Sequence, residues 1–315
     1  MIGVLVGTPL PRFEAPTLEG MDTRNDIREF LISRRAKITP HQAGLPAYGP
    51  RRRVSGLRRE EVAMLAGISV EYYTRLERGN ANGVSEDVLE GIARALKLDE
   101  AERAHLFDLV RSANRARPTR SRPSQDRVRP TIQRILDAMV GVPAYVRNGR
   151  LDILAANPLG YALYSPVFTD VIGAANMARF IFFNPRATEF FHSWEQIAND
   201  AVAILRAEAG RDPYDRHLSD LIGELTTRSD EFRVRWAAHN VKFHRTGTKT
   251  LHHPVVGDLT LAYEALELPG DGGQRILVYT AEPGSPSQEG LNLLASWSAT
   301  PTHIVANTTT DRLTR

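Results

Sequence analysis

Apolar residues change their spacing along the chain, and each change marks a different kind of element. From about Asn25 to Lys37, Ile27, Phe30, Leu31 and the stem of Arg34 recur at three- and four-residue intervals, which predicts a half-buried helix. The rhythm returns over Arg58–Ala66 and Val70–Arg78, two short helices hinged at Gly67 in "LRREEVAMLAGISVEYYTRLERG". "VSEDVLEGIARALKLD" predicts a fourth helix, with Ser85 as N-cap and Glu86 and Asp87 at the positive end of its dipole. "DEAERAHLFDLVRSAN" predicts a fifth, where Asp99 and Glu102 have the spacing of a capping box. There the periodicity stops: "RSANRARPTRSRPSQDRVRP" has no apolar face and reads as an Arg/Pro-rich linker over 113–130.

Beyond the linker the pattern shortens to two. "PAYVRNGRLDILAANP" predicts a strand pair about Asn148-Gly149, and a mainly helical, aromatic-rich middle runs from about Leu159 to Val241. "TKTLHHPVVGDLTLAYEALELPGDGGQRILVYTAEP" alternates apolar and polar residues and predicts three strands, turning at Gly257-Asp258 and over Gly270 to Gly273. Strands, then helices, then strands predict an α+β domain over 131–298 with a mainly antiparallel sheet, following an all-α domain over 25–112. Residues 1–24 and 299–315 lack periodicity and read as tails, and Met21 is a second candidate start.

Composition sets bounds. A chain of 315 residues suits two domains. No apolar run approaches the roughly 20 residues that cross a bilayer. "MIGVLVGTPLPRFEAPTLEG" has no basic segment before its apolar run and is broken by Pro9 and Pro11, so it is a poor secretory signal. Zero cysteines fit a reducing cytosol. These features suggest a cytoplasmic protein without a membrane anchor. Net charge is +3, but residues 1–130 hold 23 Lys and Arg against 17 Asp and Glu, whereas the remainder holds 17 against 20. The basic half suits a polyanion.

The hinge gives that basicity a shape. Gly67 can turn left-handed at the end of one helix, Ala63 lets the next cross closely, and Ser69 can cap it. Val70, Glu71, Tyr72, Thr74, Arg75 and Arg78 then point outward from the second helix. A plain helical hairpin is the bland alternative, and the agreement of Ala63, Gly67, the capped short helix, "LERG" and two further helices argues against it. This five-helix pattern resembles the λ-repressor-like, or XRE-type, DNA-binding domain. By that resemblance Val70, Glu71 and Arg75 read bases in the major groove of a double-stranded operator. Arg58, Arg59, Ser69 and Arg78 hold phosphates. Arg59 stands where the family often has a glutamine. Arg51, Arg52 and Arg53 are candidates for an adjacent groove or backbone, with a solvated loop equally open.

Longer segments extend the resemblance. "PRRRVSGLRREEVAMLAGISVEYYTRLERG", "ILAANP", "EFFHSWEQIANDAVAILRAEAGRDPYD", "GELTTRSDEFRVRWAAHNV" and "HHPVVGDLTLAYEALELPGDGGQRILVYTAEPGSPS" resemble XRE-type regulators with a C-terminal MmyB-like ligand-binding domain. The resemblance implies a PAS-like C-terminal fold that holds an apolar small molecule, a fatty acid among the candidates. Phe180, Phe190, Trp194 and Trp236 are candidate lining residues, with ordinary core packing the alternative for each. Tyr145, Tyr263 and Tyr279, on predicted strands, could orient a head group. Function then implies a homodimer on two half-sites. A rival keeps the DNA-binding half and makes the second domain a dimerisation or docking module with no ligand.

No cofactor, metal or catalysis is expected. His239, His244, His252 and His253 fit no zinc spacing, and adjacent His252 and His253 should face opposite sides of a strand. No phosphate loop, dinucleotide glycine motif or nucleophile elbow occurs, and Glu60-Glu61 reads as a solvated face.

Overall fold

The computed structural model describes residues 23–46, 54–114, 127–169, 174–241, 245–270 and 273–298. Five helices come first: α1 (Thr23–Lys37), α2 (Arg59–Ala66), α3 (Val70–Glu77), α4 (Glu86–Ala95) and α5 (Glu100–Asn114). Their apolar stripes meet in one core that includes Ile27, Phe30, Leu31, Val62, Ala63, Tyr73, Leu76, Ile92 and Leu106. Capping follows the sequence closely. Ser85 Oγ accepts from Val88 N at 3.4 Å. Asp99 and Glu102 exchange bonds of 2.8 and 3.1 Å, satisfying orphan amides at the start of α5.

The second unit adds α6 (Pro130–Ala138), β1 (Ala144–Arg147), β2 (Ile153–Ala156), α7 (Pro158–Leu163), α8 (Ser165–Phe168), α9 (Met177–Phe183) and α10 (Arg186–Phe190). It continues with α11 (Trp194–Arg211), α12 (Arg216–Arg228), α13 (Asp230–Ala237), β3 (Thr246–His253), β4 (Gly257–Glu267), β5 (Arg275–Thr280) and α14 (Pro286–Ser298). The strands form one antiparallel sheet in the order β2-β1-β5-β4-β3. This is the expected layout of an all-α unit followed by an α+β unit.

Strand alternation decides what each face of the sheet carries. Leu251, Leu259, Leu261, Tyr263, Leu277, Tyr279 and Tyr145 join the large core under the helical layer. Val146, Ala155 and Ile276 face the other way and pack with Ile132 and Leu136 of α6. Two helices were not foreseen. The four-residue spacing of Ile132 and Leu136 carries α6, and Leu291 and Leu294 anchor α14 in the large core.

Two turns differ from expectation. The β3–β4 turn occupies residues 254–256, with Gly257 already opening β4 at φ 73°, because His253 pairs with Gly257 and His252 with Asp258. The first hairpin turns with Leu151, not Asn148 or Gly149, in the left-handed region at φ 67°. Asn148 instead donates through Nδ2 to the Asp152 carboxylate at 2.8 Å and accepts at Oδ1 from the Asp152 amide at 3.0 Å.

The two units pack along α5 and α11. Ser112 Oγ donates to the Gly210 carbonyl at 3.0 Å, and Arg245 pairs with Glu100 at 2.9 Å. Val241 joins the N-terminal core.

Candidate functional site

The hinge between α2 and α3 is built as the sequence suggests. Gly67 adopts φ 70° and ψ 31°. The Ile68 amide reaches back to the Ala63 carbonyl at 3.0 Å and the Gly67 amide to Met64 at 3.2 Å, closing the end of α2 with a Schellman-type pair. Ser69 Oγ then accepts from Tyr72 N at 3.1 Å and starts α3. At the far end Gly79, φ 85°, lies so close to α1 that a Cβ there would come within 2.2 Å of the Arg24 carbonyl oxygen.

Beneath α3 sits a buried carboxylate that the periodicity does not reveal. Glu77 accepts from Arg35 Nε at 2.6 Å, from Arg59 Nε, and from the Tyr73 hydroxyl at 3.4 Å. It ties α1, α2 and α3 through one side chain. Burial and the Glu77 charge push the Tyr73 hydroxyl beyond the usual phenol range. Arg59, singled out in the sequence for a phosphate, therefore has a structural partner, while its side chain stays 46% exposed. Arg58 precedes α2 on the surface, with its amide held by Glu61 at 2.6 Å.

The outward face of α3 lines an open cleft of about 520 Å³ formed by Val70, Glu71, Thr74, Arg75, Arg78 and Asn80. Val70, Glu71, Arg75 and Arg78 are exposed, and Tyr72 and Thr74 are half-buried. The Arg75 guanidinium lies 4.8 Å from the Tyr72 ring centroid, a contact that pre-positions a charged fork at the surface. Arg51, Arg52 and Arg53 lie outside the described residues.

In the second unit the sequence-selected aromatics gather around one core. Tyr145, Phe180, Phe190, Tyr263 and Tyr279 are buried in it, while Trp194 and Trp236 are half-buried at its margin. Trp194 Nε1 donates to the Ile181 carbonyl at 3.0 Å, and Trp236 stacks on Phe232 at 5.5 Å. Phe180 and Phe190 meet edge to face at 6.0 Å, and Phe190 meets Tyr164 at 5.8 Å.

The tyrosines form a polar nest within this apolar surround. Tyr164 donates to Tyr279 at 2.8 Å, and the Tyr145 hydroxyl lies 3.4 Å from that of Tyr279. Lys249 Nζ donates to Tyr279 at 3.4 Å and sits 4.9 Å from the Tyr263 ring centroid. Arg147, 3% exposed, donates through Nη1 to the Asn148 carbonyl at 3.2 Å, whereas its buried Nη2 has no hydrogen-bond partner. Burial, reinforced by the Arg147 charge and opposed by Asp200, lowers the Lys249 ammonium to about 7. Burial raises all three hydroxyls of the Tyr145, Tyr164 and Tyr279 chain. Among the described residues no carboxylate is in ion-pair contact with Lys249 or Arg147. A buried and a half-buried cation beside neutral hydroxyl donors make a chemistry suited to an anion.

Neither cation was selected from the sequence. Strand alternation could have found both: Arg147 lies two residues after inward Tyr145, and Lys249 two before inward Leu251.

The histidines set aside as a metal set do not converge. His253 is buried, its Nε2 3.0 Å from the Ala162 carbonyl, whereas neighbouring His252 is exposed. His239 lies in the seam between the units, and His244 lies outside the described residues. In that seam Arg206 lies 4.0 Å from the Trp236 ring centroid and places Nη1 3.0 Å from His239 Nδ1. His239 Nε2 lies 2.9 Å from a Glu29 carboxylate oxygen, and its carbonyl accepts from Arg34. An imidazole accepting at Nδ1 and donating at Nε2 satisfies both neighbours.

A helix-turn-helix with a solvent-facing second helix, joined to an α+β unit with a buried nest, defines a transcription regulator with a ligand-binding domain. Family comparison agrees: a helix-turn-helix domain profile matches residues 49–106, and the MmyB-like transcription regulator ligand binding domain matches residues 128–294. The chain belongs to the MmyB-like transcription regulator family. No curated protein matches it.

Proposed function

We propose that this regulator is cytoplasmic, reads a double-stranded operator through α3 and tunes that reading with an apolar effector bearing an anionic head, a fatty acid being the simplest such molecule. The observation that carries the first half is the cleft-lining face of α3, held in place by Glu77 from behind. Arg75 suits a bidentate contact to guanine O6 and N7, Glu71 an acceptor role toward cytosine N4, and Val70 an apolar contact to a thymine methyl. Arg58, Ser69 and Arg78, with the outer nitrogens of Arg59, hold phosphates and set register. Tyr72 supports Arg75, and Thr74 borders the groove. Arg51 to Arg53 add positive charge toward the DNA backbone.

The effector's carboxylate would take the hydrogen-bonding capacity of Arg147, Lys249 and Tyr279, and its chain would lie among Tyr145, Phe180, Phe190 and Tyr263, with Trp194 and Trp236 at the edge. The domains divide as 25–112 and 131–298 around the linker. Coupling would run from Trp236 through Arg206 and His239 to Glu29 and Arg34 on α1, which packs against α3. A homodimer would place two copies of α3 about one helical turn apart, so an effector that prefers one dimer geometry changes operator affinity.

Selection of bound sequences from random duplexes, repeated with added fatty acids, tests both halves. The reading expects an enriched two-part site whose occupancy changes with a fatty acid. Enrichment of no sequence contradicts the first half. An enriched site indifferent to fatty acids, with no thermal shift by them, replaces the effector domain with a dimerisation or docking module.

A further inference from the structure

Outside both sites, three side chains with metal-ligating atoms converge on the outer surface of the sheet. Alternation puts them there. Leu251 and Phe191 form a bridge pair and are both fully buried, so the residues that follow them, His252 and His192, project the opposite way. Asp258 lies directly across from His252 in the β3–β4 register, and it too points outward because its neighbour Leu259 points in. The segment carrying His192 is pinned beside β3 by its amide, which donates to the Thr250 carbonyl at 3.3 Å. Three chain segments thus deliver two imidazoles and one carboxylate to one spot.

Their atoms already share a centre. His192 Nε2 lies 3.0 Å and His252 Nδ1 2.6 Å from the same Asp258 oxygen, and one ligand atom from each residue fits within 4.8 Å of the others. The two rings stand nearly perpendicular at 89°, so both nitrogens address the carboxylate without stacking.

We propose that His192, His252 and Asp258 form a surface site for a divalent transition-metal ion of the Zn²⁺ class. Two imidazoles and a carboxylate suit Zn²⁺, Ni²⁺ or Cu²⁺, whereas Mg²⁺ and Ca²⁺ favour all-oxygen shells. Bond lengths of about 2.0–2.2 Å need ligand atoms only slightly farther apart than those bridged by hydrogen bonds here. The ion would take the place of the bridging protons, and water would complete its shell from the solvent side. Bound there, it would staple the start of α11 to the β3–β4 hairpin, outside the tyrosine nest. This goes beyond the sequence expectation of no metal, which weighed only histidines close in sequence and missed His192, 60 positions before His252.

Titration of the tag-free full chain with Zn²⁺ against a chromophoric chelator tests the site. One ion per chain is expected, together with a rise in Tm on addition of Zn²⁺. His192→Ala, His252→Ala and Asp258→Asn should each weaken binding at least about tenfold. His217→Ala, on another surface, should leave it unchanged. Asp258→Asn keeps the side chain's shape and an acceptor oxygen, so it reads the site even if a histidine variant folds poorly. Absence of Zn²⁺ binding by the wild type, or wild-type affinity in Asp258→Asn, overturns the proposal.

Discussion

The face of α3 and the tyrosine nest use arginine in opposite ways. On α3, Arg75 stands in water against Tyr72, ready for a partner that brings its own negative charge. In the nest, Arg147 is buried and Lys249 half-buried, neither is in ion-pair contact with a carboxylate among the described residues, and desolvation holds Lys249 near the point of losing its proton. An exposed cation costs the fold little. A buried, unpaired one is expensive and makes physical sense when something anionic is meant to join it. On the proposed reading, the first surface would select by geometry and the second by relief of an electrostatic cost.

Glu77 should give the largest effect, because it supports the exposed surface from within. Glu77→Ala leaves Arg35 without its buried partner and is expected to destabilise the N-terminal unit by about 3 kcal/mol in urea unfolding. Binding to every duplex should fall together. Loss confined to particular base pairs would mean that Glu77 shapes the readout rather than the hinge.

The nest is next. Lys249→Met should weaken a fatty acid by about 1.5–3 kcal/mol, the range of a charge-assisted hydrogen bond, while leaving a matched fatty alcohol nearly unchanged. The same variant should also alter pH dependence without ligand. The folded ammonium is lowered to about 7 from 10.5, so neutral Lys249 favours the fold at high pH. That advantage is lost as pH falls from about 10.5 through about 7, and it should be absent from the variant's unfolding midpoints. Equal loss of acid and alcohol binding would place the head group elsewhere.

Gly67→Ala should cost about 1 kcal/mol, since a left-handed residue gains a Cβ with open space around it. Smaller still at neutral pH is the seam. Burial, aided by the Arg206 charge, lowers His105, which is buried on α5 against Gly210 of α11, to about 3 and His239 to about 4. Arg34 opposes protonation of both, and Glu29 favours it at His239. Their neutral forms therefore stabilise the packed units above pH 6.5, and that contribution drains away as pH falls toward 4 and then 3. Limited proteolysis of the seam should stay flat from pH 8 to about 7 and rise on acidification. His105→Leu should flatten part of the rise.

The two regions were not equally legible in the sequence. The α3 face rests on local facts: a helix period, a glycine at a helix end and a serine cap all lie within about twenty residues of one another. The nest rests on Tyr145, Arg147, Tyr164, Lys249, Tyr263 and Tyr279, which meet only after the sheet has ordered its strands β1, β5, β4 and β3 side by side. Strand alternation fixes which face each residue takes but not which strands become neighbours. For the same reason the helix period does not single out Glu77: its burial depends on Arg35 and Arg59 arriving from two other helices. Trp236 reads as a core or lining residue, yet its second contact is Arg206 at the seam, a relation set by packing of α11 against α13.

The central claim is that α3 reads base identity and its flanks hold the backbone. Fluorescence anisotropy on a selected operator and its single-base-pair variants, with wild type, Arg75→Ala and Arg78→Ala, tests it most directly. Arg75→Ala is predicted to lose about 1–3 kcal/mol on the intact operator and to stop discriminating at one or two positions, whereas Arg78→Ala weakens every duplex alike and lowers the salt dependence. If Arg75→Ala keeps the wild-type pattern of discrimination at every position, α3 does not read the sequence through Arg75 and the account fails.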